Sequence, residues 1–119
     1  MLLAALGCGG SNNDVCTANF AYFGVTVVDA GNQAVSGTWV VSDTVRRTGK
    51  ALSITQSSAP TSYPVIFSDN NLYDVREDGD SVRVTGVGGG KAFGAWYQFG
   101  SAGGCHIQRI FGPDTVVAR

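Results

Sequence analysis

The side chains in this chain that could carry chemistry are few, and their spacing is the first thing to test. There are three cysteines and one histidine, at Cys8, Cys16, Cys105 and His106. Any Ser-His-Asp or Cys-His centre would have to use His106, and its neighbour Cys105 is better accounted for as a disulfide partner. A c-type haem attachment fails, because Ala102 stands where the earlier cysteine of that motif belongs. A zinc site is disfavoured by the lack of a Cys-x-x-Cys pair and by the single histidine. His106 therefore reads as an ordinary strand residue, and neither a catalytic residue nor a metal ligand set nor a cofactor is expected.

Two other patterns invite a functional reading. Asp69, Asn70, Asn71, Asp74, Glu77, Asp78 and Asp80 gather five of the nine acidic residues into one segment rich in the oxygen ligands calcium prefers. The spacing is not that of an EF-hand, and turns collect Asp, Asn and Gly for backbone reasons, so a solvated turn system without tight calcium binding is expected. The stretch from Gly86 to Lys91 ends in Gly-Lys, but Thr85 and Ala92 occupy positions where a phosphate-binding loop needs Gly and Ser or Thr. It reads as a hairpin loop. Trp39, Trp96 and Tyr97, with Tyr22 nearby in type, could supply an aromatic platform for a sugar or peptide, set against the alternative that they are core. Trp96 alternates against Phe93, Tyr97 and Phe99 and so falls on the opposite face from them.

Composition limits the partners. With a net charge of -1 and Arg46, Arg47 and Lys50 as its only local basic cluster, the chain has no long-range attraction to phosphate backbones, and nucleic acid is excluded as an expected partner. Charged residues reach 14% while hydrophobic residues make up 44% and glycines number 17. That is the balance of a turn-rich β protein with Ser, Thr, Asn and Gln on its outer faces.

The beginning of the chain bears on location. Leu2, Leu3, Ala4, Ala5 and Leu6 form an apolar run that ends in Gly7 and Cys8, the pattern of a bacterial lipoprotein signal whose cysteine is acylated after cleavage. Residues 1–8 are accordingly expected to be a signal remnant with Cys8 as the lipidation site. Residues 9–19, small and polar after Cys8, are expected to be a flexible tether, and 20–119 a single domain. The expected setting is the bacterial cell envelope, the protein held to the outer membrane by its lipid, with an envelope protein or a glycan as partner. Setting Cys8 aside leaves Cys16 and Cys105, an even number in an exported chain, and a disulfide between them follows.

Short segments of period-two alternation define the domain. Phe23, Val25 and Val27 share a face; Trp39 and Val41 share another in a strand near Thr38–Asp43; Leu52 and Ile54 share a third near Ala51–Thr55. Val65, Ile66 and Phe67 read as a central strand. Val82 and Val84 turn inward with Arg83 outward, Gly86–Gly90 makes a loop, and Phe93 and Tyr97 continue the inner face. Strands near His106–Phe111 and Thr115–Val117 close the pattern. The expected architecture is all-β, an antiparallel two-sheet sandwich of about seven strands, transthyretin-like or Ig-like.

The stretch Val25–Val40, reading VTVVDAGNQAVSGTWV, resembles the opening of carboxypeptidase regulatory-like (transthyretin-like) domains. Tyr73, Asp74 and Val75 are similar to the family's Y-x-V strand, and Cys105-His106 before a closing strand is similar to a form common in bacterial lipoproteins. The resemblance implies a seven-stranded sandwich without catalytic residues, acting as a folding, spacer or interaction module. The reading from sequence is a noncatalytic envelope module, with a carbohydrate- or peptide-binding sandwich that uses exposed aromatics as its alternative.

Overall fold

The computed structural model describes residues 19–119 and consists of nine strands and two short 3₁₀ turns, without an α-helix. Cys8, Cys16 and the expected tether lie outside the described residues, apart from Asn19. In chain order the strands are β1 (Tyr22–Gly24), β2 (Thr26–Val28), β3 (Val40–Val45), β4 (Ala51–Ile54), β5 (Val65–Ser68), β6 (Asp80–Gly88), β7 (Lys91–Gly100), β8 (Gln108–Phe111) and β9 (Thr115–Val117).

One layer is a five-stranded antiparallel sheet in the order β4-β3-β6-β7-β8. Its centre is the long hairpin β6–β7, whose strands pair from Asp80 with Phe99 to Gly88 with Lys91. Gly89 and Gly90 alone make the turn, at φ 58° and 76°. Both central residues lie in the left-handed region, as a type I′ turn requires, and this turn matches the twist of the strands it joins. The loop expected over Gly86–Gly90 is thus shorter than the glycine run suggested, because glycines 86 and 88 are strand residues. Gly86 is there for packing: a Cβ on it would lie 2.3 Å from the ring of Phe93, its partner across the hairpin.

The facing layer is made from two pairs. β1 runs antiparallel to β5, and β2 runs parallel to β9. β2 also reaches the chain before β5, since the amides of Val25 and Val27 donate to the carbonyls of Pro64 and Ser62 at 3.1 and 2.9 Å. The chain thus passes from one pairing to the next at Val25 with β5 on one flank and β9 on the other. The parallel β2–β9 pair departs from the fully antiparallel expectation. Its cause is the final turn, in which Tyr97 donates its hydroxyl to the Pro113 carbonyl at 2.6 Å and the Thr26 amide takes the Asp114 carbonyl at 2.9 Å.

Between the layers lies one hydrophobic core. Val25, Val27, Val82, Val84, Phe93 and Tyr97 are buried and Phe23 packs against them, the set that period-two alternation selected. Phe67 stacks on Phe99 at 4.2 Å between ring centroids, and Tyr97 lies nearly parallel to Phe99 at 5.5 Å.

Two local expectations are corrected. Tyr73–Val75 is not a strand but a run of turns: Ser68 and Asn71 cap one another's backbone amides around the 3₁₀ turn Asp69–Asn71, the Leu72 and Asp74 amides bond back to Asp69 and Asn71, and Tyr73 projects into solvent. His106 stands in a bend before β8 rather than in the strand, because the glycines at 103 and 104, both at positive φ, delay extension to Gln108.

Candidate functional site

His106 and Asp69 meet. The His106 Nδ1 lies 2.6 Å from Asp69 Oδ2, and the same carboxylate accepts the amides of Ala21 and Ile107 at 2.9 Å each. Burial of Asp69 opposes its ionisation, but those two amides and the imidazole outweigh it and hold the carboxyl below its ordinary range. Asp69 therefore ties the approach to β1 to the approach to β8, the geometry of a brace.

The rest of the acidic segment is divided among separate partners. Asp80 is buried and takes the Arg47 guanidinium on both oxygens at 2.8 Å, with the Arg76 amide at 2.9 Å, so Arg47 first and then that amide keep its carboxyl low against the effect of burial. Asp74 meets Lys50 at 2.8 Å. Glu77 and Asp78 lie in the turn before β6, and Asp78 is 4.0 Å from Arg76. Among the described residues no group of three or more acidic, histidine or cysteine side chains converges as a metal site.

Of the three aromatics expected to form a ligand surface, two are core. Trp39 and Tyr97 are only 3% and 2% exposed. Trp39 packs edge-on against Phe93 and donates its indole N–H to the Thr61 carbonyl at 2.8 Å, while Tyr97 fills the space that glycine leaves at position 112, where a Cβ would come within 2.1 Å of its ring. Tyr97 faces inward because β7 buries that side, and Trp39, just before β3, turns the same way as Val41. Trp96, one residue out of phase with Tyr97, is 47% exposed on the outer face of the five-stranded sheet.

Trp96 does not stand alone on that face. Arg83, its register partner on β6, holds its guanidinium carbon 5.8 Å from the indole centroid, and Arg46, just beyond β3, holds its own at 6.0 Å. Arg83 fits there because position 94 is glycine, whose bare backbone lies beneath the guanidinium. The face continues into a polar groove of about 360 Å³ lined by Arg46, Arg47, Arg76, Asp80, Ser81 and Gln98. Arg83 was legible as an outward residue and Arg46 as part of a basic cluster. Their meeting at Trp96 depends on the β3–β6–β7 register, which no local pattern specifies.

A second hollow, of about 250 Å³, lies between the edge strand β4 and the β1–β5 pair, with Phe20 and Tyr22 at its rim and Ser53, Asn70 and Asn71 among its polar groups. Sequence reading also passed over Asp43. It is fully buried between Val41 and Val45, neither carboxylate oxygen has a hydrogen-bond partner among the described residues, and burial pushes its carboxyl up to about 8. The alternation that placed Trp39 and Val41 inward continues to Asp43 and could have shown it.

Compared with family models, with curated proteins and with solved structures, the chain matches none.

Proposed function

We propose that this chain is a noncatalytic, exported module of a bacterial cell envelope that works by binding a glycan on the outer face of its five-stranded sheet. The observation that carries the reading is the exposure of Trp96 on the outer face of the sheet, near Arg46 and Arg83. An exposed indole beside planar donors suits a ligand that offers both carbon-bound hydrogens and oxygens. The commitment of the Asp69 carboxylate to two backbone amides and His106 supports a bracing role for the one histidine rather than a catalytic one.

The same reading includes lipid on Cys8 as the anchor and a Cys16–Cys105 disulfide securing the start of the domain, as their sequence setting suggests. Intact mass of the protein from its native host should show an acylated Cys8.

The binding reading is tested on a glycan array with the full chain and Trp96→Ala. Wild type should bind at least one glycan, and Trp96→Ala, with an unchanged Tm, should lose that binding. Absence of binding, or binding indifferent to the substitution, would overturn it.

A further inference from the structure

Four of the eight cationic side chains of the chain, Arg46, Arg47, Arg76 and Arg83, gather on this face and its groove. The carboxylates among them are those of Asp78 and Asp80, which leaves an excess of two positive charges on a molecule whose net charge is -1. Arg47 and Arg76 share Asp80, but Arg46 and Arg83 have no carboxylate partner among the described residues. These two guanidinium groups are nevertheless held. Arg83 rests over Gly94, where a Cβ would lie 2.7 Å from its Nη2, and both flank Trp96. A guanidinium held near an indole by cation–π attraction, with no carboxylate partner, keeps N–H groups available for a carboxylate or sulfate to accept bidentately. Part of the ordering cost of binding has then been met by the fold.

The occupant is further narrowed by the strands beneath. β6 and β7 are interior strands, each paired on both sides, so a peptide cannot add there as an extra strand and recognition must come from side chains. Arg46 belongs both to the Trp96 cluster and to the groove, whose lining also includes the Ser81 hydroxyl and the Gln98 amide, so charged and neutral donors alternate across the face. That alternation of charge and neutral donor matches a sugar chain with spaced acidic groups better than the dense, even charge of a nucleic acid backbone.

We infer that the ligand is an acidic polysaccharide, its carboxylate or sulfate groups held by Arg46 and Arg83 beside Trp96. This rests on the glycan-binding reading above and names its ligand class.

The test measures binding of the full chain to polygalacturonate, heparin, neutral dextran and duplex DNA over a range of salt. At least one acidic glycan should bind in preference to dextran and DNA, more weakly as salt rises. Arg46→Ala and Arg83→Ala should each weaken that binding about ten- to hundred-fold, the worth of a charged hydrogen bond. Gly94→Ala should do so about ten-fold while keeping every charge and the Tm, because the new Cβ displaces Arg83. If Gly94→Ala lowers the Tm, Arg83→Gln, which keeps the stem and loses the fork, replaces it and should show the same loss. Binding confined to neutral glycans and dependent on Trp96 would overturn the acidic class and leave the glycan reading standing. Equal affinity for DNA, indifferent to Gly94→Ala and Arg83→Gln, would reduce the face to bulk charge and overturn the inference. Binding to no glycan would overturn both.

Discussion

Asp43 is the residue on which the pH behaviour of the domain turns. Its neighbours across the ladders are Leu52 and Val84, its neighbours along the inner face of β3 are Val41 and Val45, and the titratable group that senses its charge is Tyr97, whose own hydroxyl burial pushes up to about 12. A carboxyl raised from 3.8 to about 8 on folding is protonated in the folded chain and ionised in the unfolded one across the interval between. The folded state then holds the extra proton, so stability is greatest below the unfolded value and declines as pH rises towards about 8, by up to about 1.4 kcal/mol per pH unit. Asp69 and Asp80 act in the opposite sense: their carboxyls are lowered, and what they contribute is present above the ordinary Asp value and lost as pH falls through their folded values. Urea denaturation across this range should therefore find a maximum in mildly acidic buffer. Asp43→Asn should flatten the alkaline side, equalling wild type near pH 4 and exceeding it near pH 8; an unchanged slope would show that Asp43 is not the group responsible. At the brace, Asp69→Ala leaves the Ala21 and Ile107 amides without their acceptor and should cost about 2–4 kcal/mol by the same assay, at about 1–2 kcal/mol for each of these two part-buried donors.

At the scale of elements, the β6–β7 hairpin shows what local pattern could and could not reveal. Alternation placed Val82, Val84, Phe93 and Tyr97 inward, since a one-residue slip would expose the whole set, and the structure buries all of them. It could not divide the run of glycines, because side-chain pattern vanishes where there are no side chains. The division follows from what surrounds each one: a Cβ at Gly86 or Gly88 would meet the ring of Phe93 or Trp39 at 2.3 or 2.9 Å, whereas Gly89 has open space and φ 58°. Thermal melts should separate the two kinds. Gly89→Asn should hold or slightly raise the Tm, since Asn tolerates the left-handed region and favours this turn. Gly86→Ala should lower stability by about 1–3 kcal/mol, the usual cost of forcing a packed ring aside. The Tyr73 segment escaped in the other direction. Its Y-x-V spelling is that of a strand, but the reciprocal Ser68–Asn71 cap and the following Asp and Gly residues make turns that compete successfully with extension.

At the scale of the whole molecule, what sequence left illegible is long-range: which strand lies beside which, and therefore which outer side chains meet. Trp96 and Arg83 were each readable as outward-facing, but the face they share with Arg46 exists only once β3, β6 and β7 are in register. The same holds for closure of the two layers. β9 was expected at its observed residues, yet not as a parallel partner of β2, nor as the strand whose continuation pairs back to the other sheet. The Ala118 amide donates to Val28 at 2.8 Å, and Ala92 and Arg119 exchange amide bonds at 3.0 and 2.9 Å, which carries the end of the chain from one layer to the other. Val116 and Ala118 point into the core at 6% and 1% exposure, while Val117 between them is 40% exposed. This short strand thus closes the core rather than decorating its edge, and the alternation permits a paired test. Val116→Asp puts an unpartnered carboxylate against buried Val27 and should cost about 3 kcal/mol or more, enough to unfold a marginal domain. Val117→Asp, with its side chain turned towards water, should remain within about 1 kcal/mol of wild type. Denaturant midpoints for the two variants measure the difference directly, and equal losses, or none in either, would mean that β9 does not close the core in this register.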